Sequence, residues 1–423
     1  MEKVLLISHS GLNTSNNVGK TLSLLFGEFK REELSQLFFN RVFPDSDQCR
    51  TWYRISDMQM LKTILGKGRA GSEYRFSDRE YDGEGKFYQN SVGRSAVRLL
   101  LRDIVWSIGR IDLKSLQKWV KDADPDILFL APGYSCFIYK IAMKISGMLN
   151  IPLVVFWMDD FYHEKPKKYH FIDKARKNSL HKVIRKTIRA SSFNYVVSEE
   201  MAHCYKKEFG KAFEVLYTPY VGEIKDAQES GNHNKVFLYA GGLRLGRNKI
   251  LAELGKMVGE KGGRLLVFSD AADPELTLPL KRTKGIIYGG FISQSELKKQ
   301  IGRCDVIVHV ESFDRDFLSQ SRFSISTKIP ECLASGKLIL AVGPKEQASV
   351  NYLLRNKAAV VCCDKEELKS RITDIFSEEM DCHAYIKNAK SALCANHEIS
   401  KISKKIRHRI CLIREAYNES PAD

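Results

Sequence analysis

The sequence predicts an α/β fold of two domains, each a parallel sheet covered on both faces by helices. Three observations predict it. Apolar runs about five residues long alternate with helical patterns through most of the 423 residues, as expected for strands buried on both faces. The length suits two domains of roughly 200 residues each. A polar stretch without periodicity, Gly222 to Asn234 (GEIKDAQESGNHN), interrupts the alternation near the middle and reads as a linker. The expected domains are therefore 1–221 and 235–397, joined by 222–234.

In the first half, strands are expected at Val4 to Ser8, Asp126 to Ala131, Leu153 to Trp157, Asn194 to Val197 and Glu214 to Tyr217. Helical spacing places helices near Val18 to Phe26, Leu113 to Lys121, Phe137 to Met148 and Glu199 to Phe209. Residues 40 to 110 mix glycines, charges and aromatics, and no element is assigned there. The second half offers strands at Val236 to Ala240, Leu265 to Ser269, Ile286 to Tyr288, Val306 to Val310, Leu338 to Val342 and Ala358 to Cys362. Near the C-terminus Ile402, Ile406, Ile410 and Ile413 share one helix face among lysines and arginines.

A content of 43% hydrophobic and 28% charged residues is that of a soluble globular protein. No uncharged apolar run approaches the ~18 to 20 residues that span a bilayer. The nearest, Ile145 to Met158, is interrupted by Pro152. The opening MEKVLLISHS is too short in apolar residues for a signal peptide and reads as a strand, so a cytoplasmic location is expected. Ten cysteines are scattered without a Cys-x-x-Cys pair, which suits reduced thiols better than disulfides or a structural metal.

The net charge is +16, and Phe161 to Ala190 holds ten Lys or Arg against Glu164 and Asp173. Leu180, Val183, Ile184 and Ile188 form a stripe through this basic stretch. Two readings stay open: a helix resting on the anionic inner face of a membrane, or a helix packing its stripe on the core with a solvated basic face. No nucleic-acid-binding motif is present.

Four places carry candidate chemistry. In Ser324 to Gly343 (SISTKIPECLASGKLILAVG), Ser326 and Thr327 can cap a helix, Pro330 suits its first turn, and Gly336 ends it before a buried strand. Backbone amides at such a start, with Lys328 beside them, suit a phosphate, and Glu331 can accept hydrogen bonds from ribose hydroxyls; an ordinary capped helix has the same pattern. Upstream, GGLRLGRNKILAEL follows the strand Val236 to Ala240. There Gly241 and Gly242 permit close backbone approach, and Arg244, Arg247 and Lys249 offer positive charge at a strand-to-helix turn. Gly19, Lys20 and Thr21 open a helix after the first strand, but a phosphate loop needs a glycine where Thr14 stands. Asp159 and Asp160 end a buried strand at its carboxyl edge, where open α/β sheets bind ligands; a turn cap is the alternative. Asp-x-Asp occurs at four places and discriminates nothing.

The run TKIPECLASGKLILA resembles the donor-binding segment of the retaining nucleotide-sugar glycosyltransferases with the GT-B fold (glycosyltransferase group 1, family 4 type), whose members often read TKxxEYLAxGKPxLA. The N-terminal ISHSGLNTSNNVGKTLSLLFGEF, FWMDDFY at Phe156 to Tyr162 and VVSEEMAHCYKKEFG at Val196 to Gly210 are similar to bacterial polysaccharide members. The resemblance implies two Rossmann-like domains with parallel sheets facing across a cleft, a C-terminal helix 398–423 returning to the first domain, and acceptor-facing loops within 40–110. It implies transfer of a sugar, with retention, from a UDP- or GDP-sugar to a saccharide or lipid-linked saccharide, in bacterial surface polysaccharide assembly. Arg247 and Lys249 match the family's diphosphate-binding pair, with Arg244 as a further candidate. Glu331 matches the second of two glutamates, the one that holds the donor ribose. The first falls on Phe323, so Glu311, Ser324 or a backbone amide takes its place at the sugar. Gly19, Gly242, Ser326, Thr327 and Lys328 would line the donor site, Asp159 and Asp160 would touch donor or acceptor hydroxyls, and no metal is required. A GT-B sugar-nucleotide epimerase and a non-catalytic nucleotide-sugar-binding protein are the alternatives. Bases are expected near Ser269 and Phe291.

Overall fold

The computed structural model describes residues 2–14, 17–40, 42–76, 96–163, 171–227, 234–377 and 380–419. The chain forms two compact units, Met1–Pro219 with Ile399–Asp423, and Tyr220–Glu398. The stretch 77–95, the part 164–170 of the basic run and the part 228–233 of the linker lie outside the described residues.

The first unit is built on eight strands, β1 (Val4–Ser8), β2 (Leu34–Phe38), β3 (Thr51–Arg54), β4 (Ser72–Tyr74), β5 (Ile127–Ala131), β6 (Leu153–Trp157), β7 (Phe193–Val196) and β8 (Glu214–Val215). Their order is β4-β3-β2-β1-β5-β6-β7-β8, parallel throughout except for the antiparallel pair β3 and β4. Val4 lies opposite both Leu34 and Ile127, so β1 is central. β1, β2, β5 and β6 are buried along their whole length. β2 reads LSQLF, and its polar residues are accommodated by pairing: Gln36 Nε2 donates to Ser8 Oγ (3.0 Å), while its Oε1 accepts from Leu12 N (2.9 Å). That internal network explains why hydropathy alone does not mark this strand.

The last helix, Ile399–Glu419, belongs to this unit. Ile402, Ile406, Ile410 and Ile413 enter the same core as Val4, Phe26 and Phe129. Arg407 fixes the helix by a two-pronged ion pair to buried Glu33, Nη1 to Oε1 at 3.0 Å and Nη2 to Oε2 at 2.8 Å. Its guanidinium also covers the Phe29 ring at 3.8 Å.

The basic helix spans Phe171–Ala190. Leu180, Val183, Ile184 and Ile188 are buried, so its apolar stripe is committed to the core. Of the two readings of this stretch, the stripe follows the second: it packs on the core and is not available to enter lipid. Lys182, Lys186 and Arg189 stay exposed, and Arg185 Nη2 pairs with Glu208 at 2.6 Å.

The second unit carries β9 (Val236–Ala240), β10 (Arg264–Phe268), β11 (Ile286–Gly290), β12 (Val306–Val310), β13 (Leu338–Val342) and β14 (Val360–Cys362). All are parallel, in the order β11-β10-β9-β12-β13-β14. This is the doubly wound order, whose direction of winding reverses between β9 and β12. The central strands β12 and β13 are wholly buried. The polar stretch after residue 220 is held to this unit where it is described. Lys225 N donates to Ala334 O (2.9 Å), and Asp226 pairs with Lys390 (2.6 Å).

Among the described residues no helix is long and apolar enough to cross a membrane, and no group of three or more His, Cys, Asp or Glu could hold a metal ion. All ten cysteines are free thiols.

Candidate functional site

The switch between β9 and β12 leaves a crevice at the carboxyl ends of these strands, and chemistry collects there. After β9 the chain turns sharply. Leu245 (φ +61°) and Gly246 (φ +74°) are both left-handed, and Gly246 caps the helix Arg247–Glu260. A left-handed leucine costs conformational energy, and the turn it completes sets Arg247 on the first helical residue. A side chain on Gly246 would strike Ser312 Oγ and the Phe317 ring, so the position needs glycine for space as well as for φ.

Arg247 Nη2 donates to both carboxylate oxygens of Glu311, at 3.0 and 2.9 Å. Glu311 directly follows β12 and is 3% exposed. Burial works against the Arg247 charge, but the Glu311 carboxylate outweighs it and raises the pKa. Both bonds use one nitrogen of a group with five N–H donors, which leaves capacity for an anionic ligand. Gln347 Nε2 donates to the same Glu311 Oε2 at 3.3 Å and helps hold the carboxylate in place.

Lys328 reaches across from the segment before β13. Its Nζ donates to Ala240 O at 2.8 Å. Desolvation of the ammonium end, the largest influence, lowers its pKa, so an anion beside it would be favoured. The helix that follows is shorter than the sequence suggests, Ile329–Leu333. Its cap is Lys328, without a side-chain cap bond; Ser326 Oγ accepts only a long bond from Lys328 N (3.4 Å), and Thr327 is exposed. The expected capping by Ser326 and Thr327 is thus corrected, because the chain turns through Ser326 by a backbone bond, Ile329 N to Ser326 O (3.0 Å).

Gly242, Arg247, Ser326, Lys328 and Glu331 line one cavity of about 170 Å³, together with His309, Glu311 and the apolar Leu297, Ile301 and Val308. A side chain on Gly242 would meet nothing within 4 Å, so this glycine leaves open room rather than relieving a clash. Arg244, Lys249 and Thr327 are exposed and do not line the cavity. Phe323 is 5% exposed with Arg322 over its ring at 4.1 Å, a core position where the resembling family has a glutamate. Phe291 follows β11 at 79% exposure, while Ser269 is buried.

Sequence reasoning offered Glu311 only as a sugar contact and missed His309 altogether. Glu311 is the counter-ion of Arg247, 64 residues away in sequence. His309 interrupts the apolar strand VIVHV and lines the cavity. Its Nε2 is buried without a hydrogen-bond partner among the described residues, 3.6 Å from Glu311 Oε1. Burial lowers its pKa, opposed by Glu311 and supported by Arg247 and Lys328. A polar side chain in an otherwise apolar central strand was the available signal.

The remaining candidates lie in the first unit. Gly19 sits in the helix Asn17–Leu25, where a side chain would collide with Asn13 and Gly11 O; the loop after β1 passes directly over it. Asp160 serves as a local anchor. It accepts from Tyr205 OH (2.8 Å), Tyr162 N (3.1 Å) and His163 N (2.9 Å). Burial would raise its pKa, but the side chain and backbone N–H of His163, with Tyr205, prevail and lower it. Asp159 is exposed at the carboxyl edge after β6. At the end of β1, His9 Nδ1 lies 3.3 Å from Arg102 Nη2, and desolvation followed by that guanidinium lowers its pKa to about 4.

No protein-family model matches the chain, and no curated protein is significantly similar to it. Solved structures are similar over nearly the whole length. HepE of Anabaena, crystallised with UDP, superposes with TM-score 0.65 at 12% identity, covering 97% of this chain and 99% of its own. TarM gives 0.61 at 11%, with 97% and 99% covered. A glycosyltransferase of Rickettsia africae gives 0.56 at 13%, with 97% and 98% covered. At such identities the likeness is one of architecture. With two sheets, one wholly parallel and one parallel except for β3 and β4, flanked by helices in two Rossmann-like units, this chain has the GT-B fold.

Proposed function

We propose that this protein is a glycosyltransferase that moves a sugar from a UDP- or GDP-sugar to a saccharide or lipid-linked saccharide acceptor, with retention, in assembly of a bacterial surface polysaccharide at the cytoplasmic side. The observation that carries the reading is the cavity at the β9–β12 switch, lined by a guanidinium, an ammonium and a carboxylate. The diphosphate is assigned to Arg247 and Lys328, the ribose hydroxyls to Glu331, and the backbone approach to Gly242 and Ser326. Lys249, Arg244 and Thr327, at the exposed margin, are assigned to the outer part of the donor, and Gly19, Asp159 and Asp160 to the acceptor side. HepE, of the same architecture, binds UDP, glucose and UDP-glucose, which supports a nucleotide sugar as the ligand here.

In the transfer, the bond from the anomeric carbon to the diphosphate oxygen breaks and a bond to an acceptor hydroxyl oxygen forms, with the hydroxyl proton released. Negative charge grows on the departing diphosphate. Arg247, held in advance by Glu311, and Lys328, whose ammonium is tethered to Ala240 O, meet that charge without reorganising. Glu311 is a positioning residue, because its carboxylate is spent on Arg247.

Glu331→Ala is expected to weaken UDP or GDP binding about tenfold to a hundredfold, the loss of hydrogen bonds to a charged group at ~1.5–3 kcal/mol, with the fold intact. Calorimetric titration of both proteins against a panel of nucleotide sugars measures this. Equal affinity would remove Glu331 from the ribose.

A further inference from the structure

His309 is a buried polar group at the cavity to which the transfer described above gives no task. It interrupts the apolar strand β12 and is 8% exposed. Strand alternation explains its aim. Val308 and Val310 enter the main core of this unit, so His309 between them turns to the other face of the sheet. On that face Ile307 packs with Leu238 and Cys304, and the cavity of about 170 Å³ opens beside them. A buried ring nitrogen left without a partner carries a desolvation cost that folding does not repay, so its presence asks for another cause.

The two ring nitrogens are not equivalent. Nε2 is closed off 3.6 Å from Glu311 Oε1, too far for a hydrogen bond. A lone pair on Nε2 would nevertheless face a carboxylate charge, whereas an N–H there faces it favourably. Glu311 does not turn away, since Arg247 Nη2 holds both its oxygens, at 3.0 and 2.9 Å. The proton of the uncharged ring therefore belongs on Nε2. Burial, the largest influence, disfavours a second proton. Nδ1 is not closed off in the same way, and the ring lines the cavity, so what the cavity meets is a hydrogen-bond acceptor.

An acceptor selects a ligand group that has a proton to give. The ionised oxygens of a diphosphate have none and fall to Arg247 and Lys328, while the ribose hydroxyls fall to Glu331. The base lies beyond the ribose, whereas His309 stands beside the carboxylate that holds the diphosphate-binding arginine. The transferred sugar is the remaining hydroxyl-bearing part next to the diphosphate. We propose that His309 Nδ1 accepts a hydrogen bond from a hydroxyl of the transferred sugar and so helps to select which sugar this protein uses. A sugar without that hydroxyl leaves the buried acceptor unpaired and is rejected. The proposal rests on the donor reading of the cavity.

Two variants of the full chain test it by calorimetry against UDP, GDP and a panel of their hexose esters. His309→Asn sets an amide where Nδ1 stands, and His309→Gln reaches instead towards the place of Nε2. With the ester that wild type holds most tightly, His309→Gln is expected to lose about tenfold in affinity and His309→Asn to stay within about threefold. Both should bind UDP and GDP within about twofold of wild type. Nitrogen-15 spectra of the free protein near neutrality should show the His309 ring protonated at Nε2 alone. Equal losses for nucleotide and ester would give the ring to the nucleotide and overturn the proposal, as would wild-type affinity for the ester in His309→Gln or a ring protonated at Nδ1. These outcomes leave the donor site standing, whereas a wild type that binds neither nucleotide nor ester would defeat the donor reading and this proposal with it.

Discussion

Arg247→Ala is expected to lower turnover with a nucleotide sugar about a hundredfold, the ~3 kcal/mol typical of one lost donor to developing negative charge. The substitution also strands Glu311, 3% exposed, and an orphaned buried carboxylate costs about 3–5 kcal/mol of stability. Two companions separate these effects. Arg247→Met with Glu311→Leu removes both charges and should recover most of the stability without the turnover. Arg247→Lys keeps a charge but loses the planar fork, and should fall between wild type and Arg247→Ala. Initial rates, read beside urea midpoints for each variant, measure this. Wild-type turnover in a folded variant lacking the guanidinium would take Arg247 out of the reaction.

Arg407→Ala is expected to destabilise the first unit by about 2–3 kcal/mol. This is below the usual cost of breaking a buried pair, because the arginine is itself partly in solvent. The hydrogen bonds from Arg407, the largest influence, hold the Glu33 carboxyl below its ordinary value of 4.5. A group whose folded pKa is depressed contributes stability above its unfolded value and loses it as the pH falls through the folded one. The difference between wild type and Arg407→Ala should therefore be complete near neutrality and shrink as the pH drops below about 4.5. Urea denaturation across that range checks it; a difference that stays constant would show that Arg407 acts through its stacking on Phe29 alone.

The strands that could be read from sequence are those buried on both faces. Val4–Ser8, Leu153–Trp157 and Leu338–Val342 are uninterrupted apolar runs because helices cover them on either side. Leu34–Phe38 escaped because Ser35 and Gln36 are buried with partners that only the tertiary structure supplies. The helices Asp57–Ile64 and Ala96–Ile108 escaped because their apolar residues lie on exposed as well as buried faces, which blurs the periodicity.

At the candidate site, local signals carried far and long-range ones did not. The glycines after Ala240 and the Pro-Glu pair at Pro330 and Glu331 announced two turns, and both turns border the cavity. That Glu311 holds Arg247, and that Lys328 rather than Ser326 or Thr327 stands at the helix start, depends on where β12 and β13 bring distant segments together. The stripe Leu180, Val183, Ile184 and Ile188 shows the converse: amphipathic spacing states that a face is covered, and only packing states by what.

The most direct measurement of the central claim is difference electron density from crystals of the protein soaked with UDP or GDP. The diphosphate is expected against Arg247 and Lys328, with both ribose hydroxyls within hydrogen-bonding distance of Glu331 and the cavity beside His309 filled. Nucleotide density elsewhere on the chain, with that cavity empty at saturating ligand, would contradict the account.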